Sequence, residues 1–242
     1  MRTLYNNLLE DATLSATNED ANYPIENVYD TTMRSLFKAD TNSSVITATL
    51  SEASTVSCFA FGAHNIDTLT ITLTDSSMAT TVYTYTASDL KFSSAIPRKM
   101  VYETAVTDVT EIEYDITSVT TLYIGALSAG GYDQWPYFSK APKLGNKSSG
   151  SRYKSKGGVS YSNPGVNLKT FSCTFNANDI DDIGLQETYF DTVQTYVPHW
   201  VDRWEDSTDF PVLFAQLTNN PSHVKGNGLI FDSYRLDLEE CK

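Results

Sequence analysis

Three histidines, His64, His199 and His223, are the natural first candidates for acid–base or metal chemistry. They stand in separate segments, with no His-x-His pair, no His-Glu-x-x-His run and no carboxylate at ligand spacing. Paired carboxylates are more plentiful: Glu10/Asp11, Asp181/Asp182 and Glu239/Glu240. Glycoside hydrolysis needs two carboxyl groups facing each other across a cleft, which adjacency along the chain does not supply. These pairs read as helix caps and solvated faces. No Gly-x-Ser-x-Gly elbow is present, and neither "SAGG" nor "GNKSSGSRYKSKGG" matches a phosphate-cradling loop between strand and helix. No catalytic, cofactor-binding or metal-ligating residue is assigned, and the expectation is a protein that is not an enzyme.

One stretch keeps two readings open. "CFAFGAHNID", Cys58 to Asp67, starts as an apolar strand and ends on a histidine, an asparagine and an aspartate. Those side chains form either a catalytic group or the polar turn by which a strand leaves a sheet. With no partner histidine pointing to it, the turn is preferred. Gly62 would make the bend, Asn65 would hold it, and the ring of His64 would hydrogen-bond the loop. The aromatics Trp135, Tyr137, Phe138, Trp200 and Trp204 suit either sugar stacking or anchorage of a loop to a partner.

The elements that must position these residues follow from composition and periodicity. The chain has 242 residues, 40% hydrophobic, enough for a packed core. With 17 Lys and Arg against 30 Asp and Glu, its formal charge of -13 opposes nucleic acid and anionic membrane surfaces as partners. Cys58, Cys173 and Cys241 are too far apart for a zinc motif, and an odd count argues against a disulfide framework. The opening "MRTLYNNLLEDATLS" lacks the apolar core of an export signal, so folding in a reducing cytoplasm is expected.

From Thr13 to Leu127, Thr, Ser, Val, Ile and Tyr dominate. In "TLTITLTD" Leu69, Ile71 and Leu73 alternate with Thr70, Thr72 and Thr74, the pattern of a strand buried on one face. Several such runs separated by turn residues predict an all-β fold, with a β-sandwich over residues 1–127. Residues 128–157 lack periodicity and gather glycine with Lys147, Arg152, Lys154 and Lys156, so they read as a linker or excursion. Residues 158–242 then read as strand, strand, helix, strand, strand: a smaller β domain with one packed helix near 179–197. Ile180, Ile183, Phe190, Val193 and Val197 would form its stripe, and Pro198 would stop it.

Laid out this way, the chain resembles a known pair of families. Asn7-Leu8-Leu9, Ala12, Ala16, Tyr23-Pro24, Asn27, Asp30 and Arg34-Ser35 are similar to the opening of galactose-binding-like, or discoidin-like, jelly rolls. "CFAFGAHNI", with Gly62, His64 and Asn65, and "LYIGALSAG" look like strands of that jelly roll in tailed-bacteriophage tail proteins. "SKGGVSYS" and "YRLDLEE" resemble the conserved domain of phage distal tail proteins. The resemblance implies a virion protein at the tip of a long phage tail, made in the host cytoplasm. There it would form a homo-oligomeric ring, often a hexamer in that family, between tail tube and hub or baseplate. An assembly surface is then expected at Lys147, Arg152, Lys154, Lys156, Trp135 and Tyr137. The alternative it implies is a carbohydrate-binding module for attachment to the host surface.

Overall fold

The computed structural model describes residues 1–29, 35–93, 95–135, 138–148, 151–154, 160–163, 165, 167–176, 180–194, 197–203, 212–218 and 233–241. In chain order the strands are β1 (Arg2–Leu4), β2 (Thr13–Ala16), β3 (Phe37–Lys38), β4 (Ser43–Gly62), β5 (Ile66–Asp75) and β6 (Thr80–Thr86). A short helix α1 (Ala87–Leu90) precedes β7 (Arg98–Ser118), β8 (Tyr123–Ile124), β9 (Ala126–Gly130) and β10 (Asp133–Gln134). Then follow β11 (Phe138–Ser148), β12 (Ser151–Lys154), β13 (Ser160–Asn163), β14 (Asn167–Asn176), helix α2 (Ile180–Val193), β15 (His199–Asp202), β16 (Leu213–Leu217) and β17 (Ser233–Glu240). The predicted all-β class with one substantial helix is what forms.

The chain divides into two compact units. Unit 1 comprises Met1–Trp135 together with His199–Phe214. Its antiparallel sheet runs in the order β2-β4-β7-β5-β6, with β9 also paired to β4. The long strands β4 and β7 do two jobs. Residues 43–49 of β4 pair with 111–117 of β7, whose other edge holds β5. Residues 58–62 pair with 98–102 on one side and with β9 on the other. Register shifts between Thr49 and Cys58 separate the two segments, and such bulges bend a strand so that one chain serves both layers of a sandwich. Leu69, Ile71 and Leu73 point into the core, as their alternation predicts, beside Ile46, Phe59, Ile112 and Tyr114. The N-terminal strand β1 lies between β10 and β15, with Leu4 opposite Trp200.

Unit 2 comprises Pro136–Pro198 and Ala215–Lys242. Strand β14 lies between β11 and β17, placing Phe171 opposite Leu238 and Cys173 opposite Leu236, all four buried. Strands β12 and β13 form a separate antiparallel pair. Among the described side chains of α2, those buried are Gln186, Tyr189 and Val193, at helical spacings of three and four; those of Ile180 and Ile183 lie outside the described residues.

These findings move three expected boundaries. The stretch 128–157 is not an irregular linker: Ser128–Gly130 is buried strand, and Phe138–Ser148 is an eleven-residue strand paired to β14. Among the described strands of unit 2, β11 has a neighbour on one side only. Its backbone hydrogen bonds hold it there while Lys143 and Lys147 stay solvated, which erases the apolar alternation. The units do not divide at 127 and 157, because β15 returns to pair with β1 across nearly 200 residues of chain. Finally, α2 stops at Val193, not at 197, because Gln194 takes a left-handed φ of 50°.

Candidate functional site

The polar turn after β4 is built around His64. Its ring is 1% exposed. Nε2 lies 3.0 Å from the Leu90 carbonyl at the end of α1, and Nδ1 accepts the Ile66 amide at 3.2 Å. Burial lowers its pKa from the usual 6.5 to about 4, so the ring is neutral. Asn65 donates through Nδ2 to the Thr121 carbonyl and Thr120 hydroxyl, and its Oδ1 accepts the Tyr123 amide. Both side chains are committed to tying the turn to its neighbours. Gly62 still belongs to β4, and the residue with left-handed backbone is Ala63, at φ 51°.

The other sequence-singled residues are dispersed. Tyr23 is 36% exposed, with the Lys38 ammonium 3.7 Å from its ring centroid. The Pro24 carbonyl accepts the Asn27 amide, and Asn27 Nδ2 donates to the Leu36 carbonyl at 2.8 Å. Asp30 and Arg34 lie outside the described residues. Trp135 is not available to a partner: it is 4% exposed, and its indole donates to the Thr3 hydroxyl at 2.8 Å. Lys147 forms an ion pair with Glu239 of its own unit. Tyr137, Lys156, Trp204 and His223 lie outside the described residues, as do the side chains of Arg152 and Lys154. No cluster of three or more metal-ligating side chains occurs among the described residues. None of their helices is long and apolar enough to cross a membrane.

A site the sequence reading did not single out lies elsewhere in unit 1. A cleft of about 930 Å³ opens between β6, α1 and the first residues of β7, with Arg2 of β1 and Asp202 of β15 at one wall. That volume falls in the range of small-molecule sites. Its aromatic lining is Tyr85, Phe92 and Tyr102. Tyr85 donates its phenol to Glu103 Oε1 at 2.7 Å, and Tyr102 donates to Asp202 Oδ2 at 2.8 Å. Burial, then the adjacent carboxylates, push both phenol pKa values up, so both remain donors at all ordinary pH. The guanidinium of Arg2 sits 4.4 Å from the Tyr102 ring centroid and 5.2 Å from that of Tyr132. Tyr102 and Tyr132 meet edge to face, with centroids 5.0 Å apart.

Local structure explains the cleft's shape. Thr86 and Asp89 cap α1 reciprocally, the Asp89 carboxylate accepting the Thr86 amide at 2.8 Å and hydroxyl at 2.7 Å. The helix ends at Leu90, and the chain then crosses to β7 at Arg98, so Lys91 and Phe92 form the rim between them. The one signal in the sequence was "PRKMVYE", Pro97 to Glu103, two cations and a tyrosine in a half otherwise rich in Thr and Ser.

No family model matches this chain, and no curated protein matches it. Solved structures similar to it include chitosan-binding module 1 of a chitosanase/glucanase from Paenibacillus sp. IK-5, at 16% identity over 52% of this chain and 99% of that one, with a TM-score of 0.43. A family 32 carbohydrate-binding module from C. perfringens NanJ, in complex with galactose, is 18% identical over 55% of this chain and 100% of that one, with a TM-score of 0.43. A pectin-binding module is 11% identical over 49% of this chain and 89% of that one, with a TM-score of 0.39. Similarity at this level carries no ligand and no residue role across to this chain.

Proposed function

We propose that unit 1 is a carbohydrate-binding module and that the cleft beside β6, α1 and β7 is its site. The observation that carries this reading is the make-up of the cleft. Three aromatic side chains stand among fixed hydrogen-bonding groups, in a space large enough for a short oligosaccharide. A sugar offers C–H faces to aromatic rings and a dense rim of hydroxyls to charged and amide-like partners. The Tyr85–Glu103 and Tyr102–Asp202 pairs hold donors and acceptors in place before any ligand arrives, which lowers the ordering cost of binding. The test is retention of the full chain by a panel of immobilised polysaccharides. Tyr85→Ala should weaken the strongest interaction by about tenfold or more. Failure to bind any polysaccharide would overturn the proposal.

A second reading, assembly into a ring at a phage tail tip, has its own support in the distribution of charge. Unit 1 contains seven Lys and Arg against 21 Asp and Glu, whereas unit 2 contains ten against nine. Copies with one strongly acidic unit and one that is near neutral favour head-to-tail over head-to-head contact, the geometry that closes rings. Light scattering tests it: a discrete oligomer at low salt is expected, and a monomer at every concentration would count against it.

A further inference from the structure

The charge of the cleft is the reverse of its surroundings. Four of the seven basic residues of unit 1, Arg2, Lys91, Arg98 and Lys99, line this one cleft. Among the described residues of the unit, the acidic side chains that reach it are three, Asp89, Glu103 and Asp202. Those three carboxylates are each taken up by donors of the protein itself: the Thr86 cap, the Tyr85 phenol and the Tyr102 phenol. Lys91 and Lys99 form no ion pair with any of the described residues.

A neutral sugar needs no such arrangement. Its hydroxyls are satisfied equally by carboxylates, amides and hydroxyls, and carboxylates are abundant everywhere else on this unit. An anion approaching unit 1 would instead be repelled by the surface as a whole, and only a local concentration of cations in a walled cleft reverses that field. We propose that the cleft recognises a saccharide bearing an acidic substituent (a carboxylate or sulfate). The sugar ring lies among Tyr85, Phe92 and Tyr102, and the acidic group meets Lys91, Lys99 and Arg98. This rests on the carbohydrate-binding reading above and narrows it to a substrate class.

The experiment presents the full chain to an array of neutral, uronate-, sialate- and sulfate-bearing glycans. The strongest binder is then titrated against wild type and the double variant Lys91→Gln/Lys99→Gln, with thermal melting to confirm that the variant folds. Binding confined to acidic glycans is expected, weakened about tenfold in the variant and falling steeply as salt is raised. Binding to neutral glycans with affinity unchanged in the variant would overturn the charge assignment and leave the carbohydrate reading standing. Binding to no glycan would overturn both. Inorganic phosphate that displaces the glycan at equal concentration would overturn the role of the sugar ring, since the cleft would then be reading the anion alone.

Discussion

His64 and Leu90 fix a tautomer between them. A carbonyl oxygen only accepts, so the His64 Nε2 that lies 3.0 Å from the Leu90 oxygen carries the proton, and Nδ1 is left bare to accept the Ile66 amide. Protonation at Nδ1 would abolish that second bond and place a charge where 1% of the residue is exposed, with the Lys91 ammonium adding repulsion.

The pH dependence follows from that tautomer. The folded pKa, about 4, lies below the unfolded value near 6.5, so the unfolded state binds the proton first as pH falls. Stability from this residue is fully present above pH 6.5 and is lost progressively down to pH 4. The loss is about 3 kcal/mol across that window. Urea denaturation of wild type and His64→Gln at pH 7, 5.5 and 4 is the check. The variant should be the less stable at pH 7, and the difference should shrink toward pH 4. A difference that stays constant with pH would refute the buried neutral ring.

A buried indole supplies a second prediction. Trp200 is 1% exposed, and its Nε1–H donates to the Ser128 hydroxyl at 3.0 Å, from β15 to β9. Ser128 is itself 4% exposed, so water cannot replace a lost hydroxyl cheaply. Ser128→Ala should cost roughly 1–3 kcal/mol, because the indole donor is left without an acceptor. In Trp200→Phe, where the donor is already absent, the same serine change should cost far less. A double-mutant cycle with no coupling between the two positions would contradict the assignment.

How far the sequence revealed this molecule depends on the range of the interactions. Leu69, Ile71 and Leu73 announce their strand because their alternation is a local consequence of one-sided burial. Strand β11 hides because an edge strand can be held by backbone pairing while its lysines stay in water. The stripe expected on α2 was drawn from its apolar residues, yet the buried face includes Gln186, a polar residue no periodicity scan selects. The cleft was least legible. Tyr102 and Asp202 are 100 residues apart, and Arg2 joins them only because the first strand pairs with β15. Nothing along the chain encodes that pairing. By contrast, the polar end of "CFAFGAHNID" is a local feature, its His64 and Asn65 side chains bonding to neighbouring backbone. The partner of its histidine, the carbonyl of Leu90, had no side-chain signature to find.

The cysteines allow the two units to be followed separately. Cys58 is wholly buried in unit 1, Cys173 is 2% exposed in unit 2, and burial pushes both thiol pKa values well up. Cys241 is partly exposed, with its pKa raised to about 11, by burial first and then by the charges of Glu239 and Glu240. At pH 8 its thiolate fraction is lower than that of an unperturbed thiol by about 100-fold, so even the accessible cysteine should label slowly. Cys58 and Cys173 can react only through opening of the unit that encloses each. Unit 1 packs a continuous core from Leu9 through Tyr114 to Ala129, whereas among the described residues of unit 2 the buried apolar side chains are fewer. Cys173 should therefore become reactive at lower urea than Cys58, as read by mass spectrometry of pulse-alkylated protein. Simultaneous exposure of the two would mean that the units unfold as one cooperative body, and earlier exposure of Cys58 would invert the order of stability argued from their cores.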